Sequence, residues 1–144
     1  MDYIRTINEQ RFSLHDSHII DFKLLGNDLY LYTDYGYADI VLNNMVDGDI
    51  IIKDVQLEDS YVYIMEYENV LCGNPGLFRG EKLTLENFLI NYKDNLNIDI
   101  VSDYEGYKTV FLNGYLSRDD KIYEIQLEIF YFGKFIYRVK EDDV

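Results

Sequence analysis

Both histidines of the chain stand in one short run, His15-Asp16-Ser17-His18. Imidazole, carboxylate and hydroxyl side chains together could ligate a metal or pass a proton. Two histidines three residues apart share a face on a helix but point to opposite faces on a strand. From His18 onward the residues alternate as a strand. Chelation would therefore need a turn at Asp16-Ser17 and a distant third ligand such as Asp39 or Glu66. The competing reading is structural. Asp16 can accept the His18 N–H in an Asx-turn, and His18 would share the face of Ile20, Phe22 and Leu24 as a hydrogen-bonded core histidine. The sequence favours that reading. His15 and His18 remain as metal-ligand candidates, and no resident cofactor is expected.

Other chemistries lack their motifs. Histidine-aspartate phosphohydrolases need further histidines on a helical scaffold. A Ser-His-Asp triad needs separated elements that meet in space, and Ser13, Ser17, Ser60, Ser102 and Ser117 all lack a nucleophile-elbow context. In Cys72-Gly-Asn-Pro-Gly-Leu-Phe-Arg-Gly-Glu-Lys-Leu-Thr84, Glu81 separates Gly80 from Lys82, which breaks the phosphate-loop pattern. That segment reads as a mobile surface loop over Cys72–Leu83, with Arg79 and Lys82 forming a small positive island and Cys72 a small buried residue. Asp47-Gly48-Asp49 is too short for a calcium loop.

What the sequence has in abundance is carboxylate and tyrosine. Net charge is −14, with 15 tyrosines, 8 phenylalanines and no tryptophan. Such a surface repels phosphate backbones and anionic lipid, so neither nucleic acid nor membrane is an expected partner. A basic protein suits it better. Acidity also serves solubility, and the Ile, Asn and Tyr bias fits strand propensity. The candidate binding residues are Asp47 and Asp49, then Tyr61, Tyr63, Glu66 and Glu68, and Arg79 with Lys82. Tyrosines would anchor a partner while carboxylates steer it.

The elements that must position these residues are mostly strands. In Lys121–Tyr131, residues Tyr123, Ile125, Leu127, Ile129 and Tyr131 share one face and Glu124, Gln126 and Glu128 the other. Further strands are expected at His18–Leu25, Asp28–Thr33, Tyr37–Asn43, Asp49–Val55, Ser60–Val70, Ile98–Ser102, Tyr107–Leu116 and Phe135–Val139. Turns fall at Gly26-Asn27, Tyr35-Gly36, Asp47-Gly48 (a type I′ signal), Glu105-Gly106 and Gly133. Thr84–Asn95 places Leu85, Phe88, Leu89 and Tyr92 at helical spacing behind a Thr84 cap. The expected fold is mainly β: one domain over residues 1–144, an antiparallel barrel or sandwich of about eight or nine strands, with one short helix near residues 84–95. No apolar run spans a bilayer, no secretory pattern opens the chain, and one cysteine forms no internal disulfide. The expected compartment is the cytoplasm.

Leu14-His-Asp-Ser-His-Ile19, followed by strand, Gly-Asn turn and strand, resembles small acidic bacterial proteins of unknown function, some of them immunity proteins of toxin systems. The resemblance covers Phe12 to Asp34. It implies a mostly antiparallel fold and an inhibitory binding role against a partner toxin, and it transfers no catalytic residue. The leading expectation is thus a non-enzymatic protein-binding module. The alternatives are a β-barrel for a small molecule, an enzyme built on His15 or His18, and a homodimer paired through aromatic edge strands such as Tyr61–Tyr67.

Overall fold

Apolar–polar alternation turns most of the chain into strands. The computed structural model describes residues 1–6, 10–68, 77–94 and 96–141, apart from the side chains at 67, 68, 77 and 78. The described strands are β1 (Asp2–Ile4), β2 (Phe12–Ser13), β3 (His18–Leu25), β4 (Asp28–Thr33), β5 (Tyr37–Asp39), β6 (Asn44–Val46) and β7 (Gly48–Ile52). They continue with β8 (Tyr61–Glu68), β9 (Leu77–Thr84), β10 (Ile98–Gly106), β11 (Thr109–Arg118), β12 (Lys121–Phe130) and β13 (Phe135–Val139). Helix α1 (Leu85–Asn91) lies between β9 and β10. Ten strands form one sheet in the order β1-β13-β7-β4-β3-β10-β11-β12-β8-β9, and β2-β5-β6 form a second. Each strand pairing is antiparallel.

The mainly β, antiparallel expectation holds, but the strand count and closure do not. Thirteen strands among the described residues replace eight or nine, because Tyr37–Asn43 breaks at a turn and β1, β2, β6 and β9 add short or unforeseen pairings. The large sheet is open, with β1 and β9 at its two ends. The closed barrel on which the small-molecule alternative rested is therefore absent. β8 is not an edge strand either, since β9 pairs along its length, Tyr61 opposite Thr84 through Glu68 opposite Leu77. Much of the expected Cys72–Leu83 loop is thus strand, while Cys72 to Gly76 lie outside the described residues. No described helix is long and apolar enough to cross a membrane.

The sheet curls, so strands far apart in its order meet. Val55, just past β7, bridges Tyr131, just past β12. The Gln56 N–H donates to the Phe130 carbonyl (2.7 Å) and the Phe132 N–H to the Asp54 carbonyl (2.9 Å). Between the curled walls lie Leu31, Ile50, Ile52, Leu112, Leu127 and Phe135, all buried. Helix α1 covers part of this core. The Thr84 hydroxyl accepts the Asn87 N–H (3.1 Å), and Phe88 meets Phe22 edge-on at 5.8 Å. The helix stops at Asn91, short of the expected Asn95.

Turn chemistry matches sequence unevenly. Gly26 takes a left-handed φ of 62°, as the first position of a type II′ hairpin requires. Asp119 and Asp120 both have positive φ (51° and 61°), the type I′ pattern, between paired Arg118 and Lys121. The expected Asp47-Gly48 turn does not form. Gly48 begins β7, where an added Cβ would lie 2.6 Å from both the Arg138 carbonyl and the Tyr37 hydroxyl.

Two β-bulges decide which side chains face inward. In β3 the register shifts between Ile19 and Asp21, so Ile19, Phe22 and Leu24 face the core and Ile20 is exposed. His18 therefore does not share a face with Phe22 and Leu24, contrary to the plain alternation. In β10 the register shifts between Ile100 and Ser102. Ile98 and Ile100 are buried before the shift, but after it Asp103 pairs with buried Leu112 and Glu105 with buried Val110. Directly opposed residues share a face, so two carboxylates enter the inner face.

Arg5 answers them. Its side chain is only 4% exposed and lies 2.7 Å from Asp103 and 3.2 Å from Glu105. It also donates to the Tyr137 hydroxyl (3.2 Å) and stands over the Phe135 ring at 5.0 Å. Burial weakens the guanidinium's hold on its proton, but Tyr137, Asp103 and Glu105 more than offset this and raise its pKa. Burial drives the Tyr137 hydroxyl pKa far upward, so it stays neutral. Removing one member of such a cluster leaves the rest uncompensated. Arg5→Met should cost about 3–5 kcal/mol in urea unfolding. The triple variant Arg5→Met, Asp103→Leu, Glu105→Leu should recover most of that loss.

The second sheet carries one more device. Buried Asp39 accepts the N–H groups of Val41 (3.0 Å) and Leu42 (3.1 Å) and the Arg11 guanidinium (3.3 Å). Burial alone would raise its pKa, but the Leu42 N–H, Arg11 and the Val41 N–H outweigh it and hold the carboxyl below its ordinary 3.8. A depressed carboxyl contributes stability that is present above the unfolded value and lost as pH falls through the folded one. Protection of the Val41 and Leu42 amides, taken relative to their intrinsic exchange rates, should therefore fall as pH drops below about 3.8. Asp39→Asn should remove that dependence.

Candidate binding surface

The His15–His18 run is a structural clamp. The Ser17 N–H donates to the Leu14 carbonyl (2.9 Å), closing a turn in which Asp16 takes a φ of 68°. Backbone, not an Asp16 carboxylate bond to His18, closes it. The Asp16 N–H then donates to the Ile100 carbonyl and the Ile100 N–H to the Ser17 carbonyl, each at 2.9 Å. His15 Nδ1 donates to the Val101 carbonyl (2.6 Å). The turn thus grips the bulge of β10. The Tyr35 hydroxyl ties it further by donating to the Asp16 carbonyl (2.8 Å). His18 Nε2 bonds the Asn97 amide oxygen, and its Nδ1 stands 3.9 Å from Asp34. Among the described residues no three His, Cys, Asp or Glu side chains converge as metal ligands.

Gly114 shows how tight the clamp is. A Cβ there would lie 1.9 Å from the Asp99 carbonyl oxygen, so the bent β10 backbone needs glycine beneath it.

The expected binding residues fall in three places. Asp47 and Asp49 flank Lys140, at 3.8 and 3.9 Å, beside the start of β7. Asp49 also accepts the Thr33 N–H (3.0 Å), which commits it to structure. On β8 the residues divide by parity. Tyr61 and Tyr63 face outward with Lys82, whose ammonium stands 4.2 Å from the Tyr61 ring centre and 5.7 Å from that of Tyr63. Glu66 faces the other way and pairs in register with Arg79. These two join Tyr92 and Tyr123 in lining a cavity of about 290 Å³, and Lys121 lies 3.8 Å from Glu66. Arg79 and Lys82, three apart on a strand, thus occupy opposite faces. The Glu68 side chain lies outside the described residues.

The outward face is the more extensive surface. Register across β8, β12, β11 and β10 sets side chains in cross-strand rows. Tyr61, Glu128, Phe111 and Tyr104 form one row. Tyr63, Gln126, Asn113 and Ser102 form the next, and Met65, Glu124 and Tyr115 the third. The Tyr63 hydroxyl donates to Glu128 (3.1 Å), and the Asn113 amide to the Ser102 hydroxyl (3.5 Å). Desolvation and the Glu128 bond raise the Tyr63 pKa. Between the second and third rows runs a groove of about 270 Å³ that includes Glu124, Tyr115, Met65 and Gln126. Tyr104 and Tyr115 are 60% and 44% exposed, so their rings are available to a partner.

Sequence reasoning singled out Tyr61 and Tyr63 but not Glu124, Tyr115, Phe111 or Tyr104. The alternation of Lys121–Tyr131 marks Glu124 and Glu128 as outward. Only strand order sets them between tyrosines.

No family model, curated protein or solved structure matches the chain.

Ser17 offers a check on the clamp. It is fully buried, and its Oγ finds no hydrogen-bond partner among the described residues. A desolvated, unpaired hydroxyl is a cost. Ser17→Ala should leave the free energy of unfolding in urea unchanged or raise it, by up to about 1–3 kcal/mol. Marked destabilisation would show that the hydroxyl is satisfied.

Proposed function

We propose that this protein is a non-enzymatic binding module that docks a basic protein on the outward face of β8, β12, β11 and β10. The observation that carries the reading is Glu124 in its groove. It makes no ion pair among the described residues, and Tyr115 and Met65 stand beside it. An aromatic wall with a carboxylate suits the aliphatic stem and charged head of an arginine or lysine. The groove, about 270 Å³, is of a size for one such side chain. Glu128 and the exposed Tyr104 extend the complementarity. The net charge of −14 would speed the encounter with a cationic partner and make it sensitive to salt. The resemblance over Phe12–Asp34 gives the reading its biological form, an immunity-like inhibitor acting in the cytoplasm.

Native mass spectrometry of the protein isolated gently from its own cells tests this. The expected result is a stoichiometric added mass belonging to a basic protein, retained by wild type and lost in Glu124→Arg with Glu128→Arg. Melting temperature should fall only slightly in the double variant, since both carboxylates lie on the outward face and the one bond lost is that from the Tyr63 hydroxyl to Glu128. A bare monomer or dimer would sink the proposal, as would a partner that survives charge reversal.

A further inference from the structure

Cations in this acidic chain are almost all engaged. Of its 13 lysines and arginines, all but Lys23, Lys93 and Lys134 have a side-chain ion pair, hydrogen bond, ring contact or other interaction among the described residues. Two of those three border one groove. It lies between β3 and α1, holds about 420 Å³, and has Phe22, Leu24, Leu89 and Ile90 as its apolar walls. Lys23 and Lys93 stand at its rim, with Glu86 as the one carboxylate.

The helix geometry gives the groove direction. Glu86, Leu89 and Ile90 follow the spacing i, i+3 and i+4, so they lie along one side of α1, and Lys93 borders the groove two residues past the end of the helix. Phe88 turns away, into the core against Phe22. Ile90 is 61% exposed. An unbranched acyl chain would leave Ile90 wet on its outer side. An amphipathic helix laid along α1 would cover it with its own apolar face, the usual helix-in-groove arrangement.

From the unpartnered lysines on an apolar groove we infer that the β3–α1 groove is a docking site for an acidic amphipathic helix of a partner. Positive charge at the rim is local, against a negative background elsewhere, and this selects a carboxylate-bearing ligand. The inference does not rest on the outward face of β8 to β10. The two surfaces use different residues and call for opposite charge, so either can fail alone.

Fluorescence anisotropy with the full chain tests it. The probe is a fluorescein-labelled synthetic helix of about 18 residues, roughly 27 Å long, with Leu and Phe on one face and Glu on the other. Its control has every Glu replaced by Lys. The acidic peptide should bind at least ~10-fold more tightly than the control and weaken with salt. Ile90→Glu and Lys93→Glu, both on exposed side chains, should each reduce binding ~10-fold with circular dichroism unchanged. Equal binding of the two peptides would overturn the inference, because it would mean apolar adhesion only. So would affinity that ignores both variants, or no binding at ~200 µM peptide, where a useful docking site would already be occupied. Binding of dodecanoate at the groove without binding of the peptide would assign it instead to an acyl carboxylate and overturn the helix.

Discussion

Everything beyond Ile100 in this fold depends on one extra residue. The bulge at Val101 reverses the facing of β10, and the reversal brings Asp103 and Glu105 onto the inner face beside Leu112 and Val110. Burying two carboxylates is costly unless a cation meets them with good geometry. Arg5 does so from the segment after β1, at the opposite part of the curled sheet. The bulge therefore creates the need for Arg5, and Arg5 in turn draws β1 and β13 against β10. Nothing in the strand propensities alone would demand that closure.

The His-Asp-Ser run belongs to the same arrangement. Its turn feeds two backbone hydrogen bonds and one imidazole bond into the bulge. A bulge left alone has unpaired backbone groups and a tendency to slip. Here Ile100 and Val101 are satisfied by Asp16, Ser17 and His15, and Gly114 leaves room for the bend. Of the side chains in the run, only the His15 imidazole serves the bulge; Asp16 and Ser17 serve it through their backbone groups. The same fixed register aligns Tyr115, Glu124 and Met65 on the outward face, so the clamp and the candidate binding rows are linked through β11.

How much of this could be read in the sequence depends on distance along the chain. β3, β4, β12 and β13 have bounds close to those expected from alternation and turn residues, because both signals are local. The facing of β3 and β10 was not legible, since plain alternation cannot announce an inserted residue, and a one-residue slip inverts each later side chain. Asp119-Asp120 forms a tight turn although neither residue is glycine, so that hairpin looked longer than it is. Arg5 appeared as an unremarkable residue near the start of the chain. Its partners lie about a hundred positions away, and no local pattern connects them. For the binding face, Tyr61 and Tyr63 were visible as a tyrosine-rich strand, whereas their neighbours across β12 and β11 follow only from strand order.

The pairing of β1 with β13 has a kinetic meaning. Asp2 to Ile4 lie opposite Ile136 to Arg138, and the Met1 amine donates to the Val139 carbonyl at 2.8 Å. Hairpins such as β11–β12 can zip within about 1–10 µs of leaving the tunnel. One rim of the large sheet, by contrast, has no template until synthesis has passed residue 139. For most of translation the opening residues must wait without their strand, and the Arg5 cluster is complete only once Tyr137 of β13 joins Asp103 and Glu105. Ordering of the N-terminal segment is thus expected to be the last event in folding rather than the first.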